Sequence, residues 1–343
     1  MAQLVANSPV ESLNGHETPI LQVEKLTKHF PVGGLLGNLQ VHALEDVSFS
    51  IKKAEVVSVV GESGSGKSTT ARLISRLMPP TSGRIILNGD DIFEKEPRRP
   101  SLTYRSQVQM VFQDPFGSLN GVHTIRHHLI RPLKIHHKTS GRKETNERVD
   151  ELLHTVGMDA KTFADKFPHQ LSGGQRQRIA IARALAVDPV LLLADEPISM
   201  LDVSIRMGIL NLMERLKQER GLAYLYITHD LASARYIGDR THVMYAGRMV
   251  EGATSDDLVH EPAHPYTKLL LSAVPDPRGQ RARVEARGEV PSLIDPPPGC
   301  PFAARCPQVM PVCKEIMPGE TFVSPTHWVR CHLYGDGAGT GQA

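Results

Sequence analysis

No cysteine occurs before residue 300, and the four present stand at 300, 306, 313 and 331. A disulfide framework is therefore excluded for most of the chain. In a chain expected to stay in the cytoplasm, four clustered thiols favour a metal or cluster site over disulfides. Aromatic residues are scarce, at 5% with a single Trp, which suits an α/β core built from Val, Ile and Leu. Charge of one sign is missing too. The 39 Lys and Arg nearly balance 37 Asp and Glu, for a net charge of +2, so composition makes no electrostatic case for a nucleic-acid partner. Long apolar runs are absent: stretches such as Val56–Val60 and Val190–Ala194 fall far short of the ~20 residues that span a bilayer. Met1–Pro9 holds neither Lys nor Arg nor an apolar core, so it does not read as a secretory signal. The expectation is a soluble, cytoplasmic protein whose membrane role, if it has one, runs through a partner.

What is present falls into four zones. Residues 1–19 are polar and patternless and read as a disordered tail. From Ile20 to Ile51 short alternating segments read as strands, with a hairpin loop at Gly33–Asn38. Glu55–Val60 reads as a buried strand, and Ala71, Ile74, Leu77 and Met78 recur at helical spacing up to Pro79-Pro80. Residues 116–186 change to helical patterning, at Val122–His136, Lys143–Val156 and Ser172–Ala186. Strands return at Val190–Ala194, Ala223–Ile227 and Arg240–Tyr245, and Pro and Gly punctuate a separate appendix from residue 261.

Between the Glu55–Val60 strand and the helix lies Gly61-Glu62-Ser63-Gly64-Ser65-Gly66-Lys67-Ser68-Thr69. Strand, glycine-rich loop, helix is the context that lets successive backbone N–H groups cradle phosphates, with the helix N-terminus adding its positive end. Lys67 is placed to reach the β- and γ-phosphates and the Ser68 hydroxyl to hold Mg²⁺. Asp195 and Glu196 end the apolar run Leu191–Ala194. Asp195 there can bind Mg²⁺, directly or through water, and Glu196 can polarise an attacking water; the plain alternative is a helix N-cap pair before Pro197. Gln113 follows the strand Val108–Phe112, where a neutral amide can sense metal or water. His229 follows the strand Tyr224–Thr228, where an imidazole can hydrogen-bond the γ-phosphate, although taken alone it reads more readily as a structural imidazole. His127-His128 and His136-His137 read as solvated residues rather than a ligand cluster.

Leu171-Ser172-Gly173-Gly174-Gln175 lies between these halves. Together with the P-loop, Gln113, Asp195-Glu196, Asp202 and His229, in that order, it resembles the ATP-binding cassette (ABC) ATPases over about residues 20–260. That resemblance implies a P-loop NTPase fold with a RecA-like core, an antiparallel β subdomain and a helical insert at about 116–186. It also implies ATP and Mg²⁺ as cofactors, with Ser68, Gln113 and Asp195 around the metal, and Phe30 stacked on adenine, although Phe30 alone reads as well as a core residue. Asp202 matches the D-loop, with Met200 where the family more often has Ala. Ser172, Gly173, Gly174 and Gln175 would meet the γ-phosphate bound to a second ATPase subunit, so catalysis needs two cassettes.

Residues 261–334 carry Glu261-Pro262-Ala263-His264-Pro265-Tyr266-Thr267, Ala273-Val274-Pro275 and Gly299-Cys300-Pro301-Phe302, then Arg305-Cys306-Pro307 and His327-Trp328-Val329-Arg330-Cys331. This small, irregular extension resembles the tail of oligopeptide/dipeptide permease ATPases, a branch that also includes nickel and oligosaccharide importers. The resemblance implies a partner cassette, two transmembrane permeases, an extracytoplasmic binding protein and a place on the cytoplasmic face of the membrane. It also implies a 4Fe–4S cluster on Cys300, Cys306, Cys313 and Cys331, with zinc or no metal as the other readings. An ABC protein acting on DNA or ribosomes would show a coiled-coil or zinc insertion or a second cassette, and a non-hydrolytic subunit would show a degenerate Glu196 or His229. None of these features is in the sequence.

Overall fold

The structure, a computed structural model, describes residues 18–32, 39–273 and 291–335. The start of the expected tail, the Gly33–Asn38 loop and Val274-Pro275 lie outside the described residues. Strands β1 (Leu21–Val32) and β2 (Leu39–Ile51) pair antiparallel. Strand β3 (Val56–Val60), buried along its whole length, runs into the glycine-rich loop and helix α1 (Lys67–Ile74). The chain returns through β4 (Ser82–Leu87) and β5 (Asp90–Asp91), completing an antiparallel sheet in the order β2-β1-β4-β5. Short helices α2 (Ile92–Lys95) and α3 (Leu102–Gln107) lead to β6 (Val108–Val111).

The helical insert follows: α4 (Ile125–Ile135), α5 (Arg142–Thr155), α6 (Ala160–Phe163) and α7 (Gly173–Leu185). The chain then alternates through β7 (Leu191–Asp195), α8 (Val203–Arg220), β8 (Ala223–Thr228), α9 (Leu231–Ile237), β9 (Arg240–Tyr245) and β10 (Arg248–Thr254). Helices α10 (Ser255–His260) and α11 (Pro265–Ser272) precede α12 (Val312–Glu315), β11 (Thr321–Ser324) and β12 (His327–Val329). The second sheet has the order β11-β12-β10-β9-β3-β8-β7-β6. Its β9-β3-β8-β7-β6 part is parallel, and the parallel strands are short and apolar because both faces are covered.

The side-chain alternation of these strands divides the core. Leu192, Ala194, Tyr224 and Tyr226 face a cluster with Ile125, Leu129 and Leu133 of α4 and Val149, Leu152 and Leu153 of α5. Val57, Val59, Leu191, Leu193, Leu225 and Ile227 face the other way, onto α1 and the antiparallel sheet. A third cluster joins Val243, Tyr245 and Val250 to Tyr266, Leu271 and Phe302, so the segment beyond residue 260 packs on the core sheet. β12 also pairs with β10, through Glu251↔Val329 and Gly252↔Trp328, so the core sheet takes in strands from beyond residue 260.

The three expected insert helices are found within a few residues of their expected ends, because the caps Thr124 and Ser172 sit just outside α4 and α7. Helix α1 is shorter than its apolar spacing suggests. It stops at Ile74, well before Pro79-Pro80, and Arg76 takes a left-handed backbone (φ 55°) while its guanidinium binds the Ile92 carbonyl and Glu96. A specific side-chain anchor thus ends the helix before the prolines do.

Candidate functional site

The loop after β3 needs glycine for closeness as much as for freedom. A Cβ on Gly61 would stand 2.1 Å from the Met244 carbonyl, and one on Gly66 (φ 108°) 2.7 Å from the Ala43 carbonyl. Strands β9 and β2 therefore press the loop from two sides. Gly64 also lies at positive φ, while Ser63 and Gly64 are open to solvent. Lys67 is 4% exposed. Its Nζ donates to the Gly61 and Glu62 carbonyls, each at 2.8 Å. Burial lowers its pKa, and the carboxylates of Glu196, Asp195 and Glu62 oppose that shift. A cation held on two carbonyls of the loop can exchange them for phosphate oxygens.

The acidic end of β7 meets this loop. The Ser68 hydroxyl donates to Asp195 Oδ1 at 2.9 Å. Burial raises the Asp195 pKa, and the Ser68 hydrogen bond offsets part of the rise. A hydroxyl and a carboxylate so close form a hard-oxygen donor pair that suits Mg²⁺. Glu196 follows with a left-handed backbone (φ 46°), uncommon for a residue with a side chain. Its Oε2 accepts from Gln113 Nε2 at 3.1 Å and lies 3.2 Å from His229 Nδ1. Gln113, Glu196 and His229 thus gather from the carboxyl ends of β6, β7 and β8, where open α/β sheets bind ligands. Gln113 bonds Glu196 here, and not the Ser68–Asp195 pair. Phe30 lies on β1 opposite Val41 of β2, with the Lys28 ammonium 5.0 Å from its ring centroid. The same β2 strand touches Gly66 through Ala43 and Leu44. Thr69 occupies the first turn of α1.

Ser172 caps α7 in a capping box: its Oγ accepts from Gln175 N at 3.3 Å, and its own N donates to Gln175 Oε1 at 3.0 Å. Gly174 is tight, since a Cβ there would meet Ile205 Cγ2 at 2.4 Å. Asp202 is exposed at the start of α8. Beside it Met200, Val203 and Met207 are 55%, 76% and 43% exposed. Among the described residues no hydrogen bond joins Ser172–Gln175 to the P-loop.

The four cysteines are free thiols that line one pocket with His264 and Phe302. Burial pushes the Cys300 thiol up to about 12 and raises those of Cys306 and Cys331. The expected 4Fe–4S site is not shown. Among the described residues no three of these sulfurs lie within 4.8 Å of one another, and burial favours the neutral thiol at Cys300, Cys306 and Cys331. A zinc site on the same four thiols is likewise not shown, since four thiolates on one zinc at ~2.3 Å lie closer together than these sulfurs do. The grouping that does form, His29, His42 and Glu45, is a hydrogen-bonded trio in which Glu45 Oε2 serves both rings, at 2.8 and 2.9 Å. His128, expected in solvent, is 8% exposed, with Nε2 3.0 Å from the Asn120 carbonyl.

Sequence reasoning missed three residues that tie the C-terminal segment down. Glu251, fully buried, accepts from Ala263 N, His264 N and His327 Nε2 at 2.7, 3.0 and 2.7 Å. Tyr266 and Arg305 both reach the P-loop at Glu62. Tyr266 and Arg305 stand inside the quoted C-terminal motifs, so the signal was present. A contact over more than 200 positions leaves no periodic trace in the sequence.

A glycine-rich loop, a hydroxyl–carboxylate pair and a glutamate backed by Gln and His at the ends of parallel strands define a P-loop nucleoside triphosphatase. The ABC transporter family model matches residues 44–199, and the model of the oligopeptide/dipeptide transporter C-terminal region matches residues 250–313. The oligopeptide transport ATP-binding protein AppF of Bacillus subtilis is 46% identical over 326 residues, covering 93% of this chain and 98% of that protein. The dipeptide transport ATP-binding protein DppF of Escherichia coli is 44% identical over 306 residues, covering 88% and 91%. Among solved structures, the ATP-binding cassette MJ0796, in a dimeric post-hydrolysis state with ADP and Pi, is 30% identical with a TM-score of 0.60. That match covers 68% of this chain and 98% of the cassette. The chain belongs to the ABC transporter ATPases, in their oligopeptide/dipeptide branch.

Proposed function

We propose that this chain is the ATP-hydrolysing subunit of an importer for oligopeptides or dipeptides, working with transmembrane permeases and an extracytoplasmic binding protein. One observation carries the hydrolytic part: Glu196 is held by Gln113 and His229 beside the Ser68–Asp195 pair. In this reading the P-loop N–H groups and Lys67 bind the β- and γ-phosphates, Ser68 and Asp195 hold Mg²⁺, and Phe30 stacks on adenine. Glu196 takes a proton from the attacking water, with Gln113 orienting that water and His229 donating to the γ-phosphate. The metal neutralises phosphate charge when bound. The peptide cargo comes from the names of the relatives. The nickel and oligosaccharide readings have no observation in their favour.

The partner cassette is supported by the signature turn, which has no hydrogen bond to its own P-loop, and by the exposed Met200, Val203 and Met207 beside Asp202. That partner is a copy or a related chain. The permease contact is supported by a groove of about 840 Å³ between the core and the helical insert, lined by Leu77, Arg105, Phe112, Asp114, His136 and Arg183 among others. Among the described residues no helix is long and apolar enough to cross a membrane. A peripheral position at the cytoplasmic face, held by the permeases, accounts for this.

The finer reading of the extension, a 4Fe–4S cluster on Cys300, Cys306, Cys313 and Cys331, is supported by their shared pocket and by a donor set of four thiols. When bound, such a cluster would cross-link the loops that carry them. Iron content and broad absorbance near ~400 nm in anaerobically purified protein, both lost with Cys306→Ser, test it. Colourless, iron-free protein with an ordered segment at 291–335 removes it.

For transport, vesicles carrying the permeases and the binding protein should take up labelled dipeptide with ATP only when this chain is present, and not with Glu196→Gln. Uptake unchanged by Glu196→Gln would overturn the assignment.

A further inference from the structure

Glu62, the second residue of the P-loop, is held from outside the cassette core. The Arg305 guanidinium takes its carboxylate in a fork, Nη1 to Oε2 at 2.7 Å and Nη2 to Oε1 at 3.0 Å. The Glu62 backbone N–H donates to the Tyr266 hydroxyl at 2.8 Å, and the Glu62 carbonyl accepts from Lys67. Tyr266 and Tyr245 are buried with ring centroids 4.5 Å apart. The Tyr245 hydroxyl accepts a third hydrogen bond from Arg305, at 3.3 Å. Arg305 is 8% exposed and stands between Cys300 and Cys306. Glu62 is thus the hub through which the C-terminal segment touches the lysine of the nucleotide site.

We propose that Arg305 and Tyr266 are positioning residues for ATP binding: acting through Glu62, they fix the first half of the P-loop and neutralise the one carboxylate inside it, so nucleotide affinity reads the state of the C-terminal segment. Two arguments carry this. The loop's glycines leave its backbone many conformations, and contacts that select one before the ligand arrives raise affinity by preorganisation. A free carboxylate in the phosphate-binding loop also repels the ligand, and the two-pronged Arg305 fork on the half-buried Glu62 cancels that charge. Glu62 lies within the ABC transporter match at 44–199 and Tyr266 and Arg305 within the C-terminal-region match at 250–313, so the latch joins the two regions.

The test is ATP affinity of the full chain, measured with a fluorescent ATP analogue, together with ATP KM and kcat in the permease complex. Arg305→Met should weaken binding about tenfold and raise KM, with kcat at saturating ATP held within about threefold. Arg305→Lys keeps the charge but loses the fork, and should fall between. Arg305→Met combined with Glu62→Gln should bind better than Arg305→Met alone, because the unpaired carboxylate is gone; a mere folding role for Arg305 would not produce that rescue. Tyr266→Phe should weaken binding a few-fold without touching charge. Lys67→Ala, which loses binding, shows in the same series that the assay reports the P-loop. Arg305→Met and Tyr266→Phe both within twofold of wild-type affinity, or a double variant no better than Arg305→Met alone, would overturn the latch.

Discussion

Glu196 shows how much of this chemistry rests on single residues. Its left-handed backbone carries a cost of order 1–3 kcal/mol, which persists only where the surroundings fix it. The Ile227 carbonyl takes its N–H at 2.8 Å, and Gln113 and His229 hold its carboxylate. Glu196→Gln keeps the shape and removes the proposed base. Phosphate release should fall by at least about 100-fold while ATP affinity stays within a few-fold, since Lys67, Ser68 and Asp195 are intact; size exclusion should show an ATP-stabilised dimer. Turnover near wild type would remove Glu196 from its role. Glu196→Gly should also be inactive, yet slightly more stable to urea, because glycine relieves the backbone strain. These site positions were legible in the sequence because each sits at a fixed offset from a strand end. The partner of Gln113 was not, since a surface amide can turn to any nearby acceptor.

At the scale of elements, legibility followed local signals. Helix α7 was readable from its cap and its Ile179, Ala182 and Leu185 spacing, and β7 and β8 from unbroken apolar runs between turn residues. Strands β4, β10, β11 and β12 were not read. β4 begins with three exposed residues, β11 is mostly exposed, and β10 gains its meaning from β12, some 75 residues away. That β9–β10–β12 joint holds His242, buried among Phe49, Trp328 and Gly252 with no hydrogen-bond partner among the described residues. Burial drives its pKa down to about 3, and Arg240 adds to the shift. His264, at the start of α11, is driven to about 4 by burial despite Glu251. Both folded values lie below the ordinary 6.5. Above pH 6.5 both states are neutral and stability does not change on their account. Below it, the unfolded chain takes up protons that the native joint refuses, so stability falls between pH 6.5 and about 4, by up to ~1.4 kcal/mol per pH unit for each imidazole. Urea midpoints at pH 7.5, 6 and 5 should show this fall, and His242→Leu should flatten it. An identical slope in His242→Leu would locate the acid sensitivity elsewhere.

At the scale of the whole molecule, the proposed reading gives one chain the parts of two half-sites, each completed by a second cassette. Its P-loop lies at the carboxyl end of β3, and its Ser172–Gln175 turn opens α7 with no hydrogen bond to that loop. A symmetric pair solves this, because a two-fold contact brings each signature to the other chain's P-loop. Mixing two inactive variants tests it. Lys67→Ala loses the P-loop but keeps the signature; Ser172→Arg keeps the P-loop and spoils the turn by placing a bulky cation where the capping box stood. In a pair of either variant alone, every site has one broken half, so neither preparation should turn over ATP. In an equal mixture of chains that pair at random, half of the dimers are hybrid. Each hybrid holds one site with both halves sound, so about a quarter of the wild-type sites should return. The regained rate should rise with protein concentration, since closure of the pair creates the site. Ser172→Arg alone should bind ATP as the unmodified monomer does. If mixing restores nothing while each variant still dimerises, or if Ser172→Arg destroys nucleotide binding in the monomer, the turn acts within its own chain and the two-cassette site is wrong.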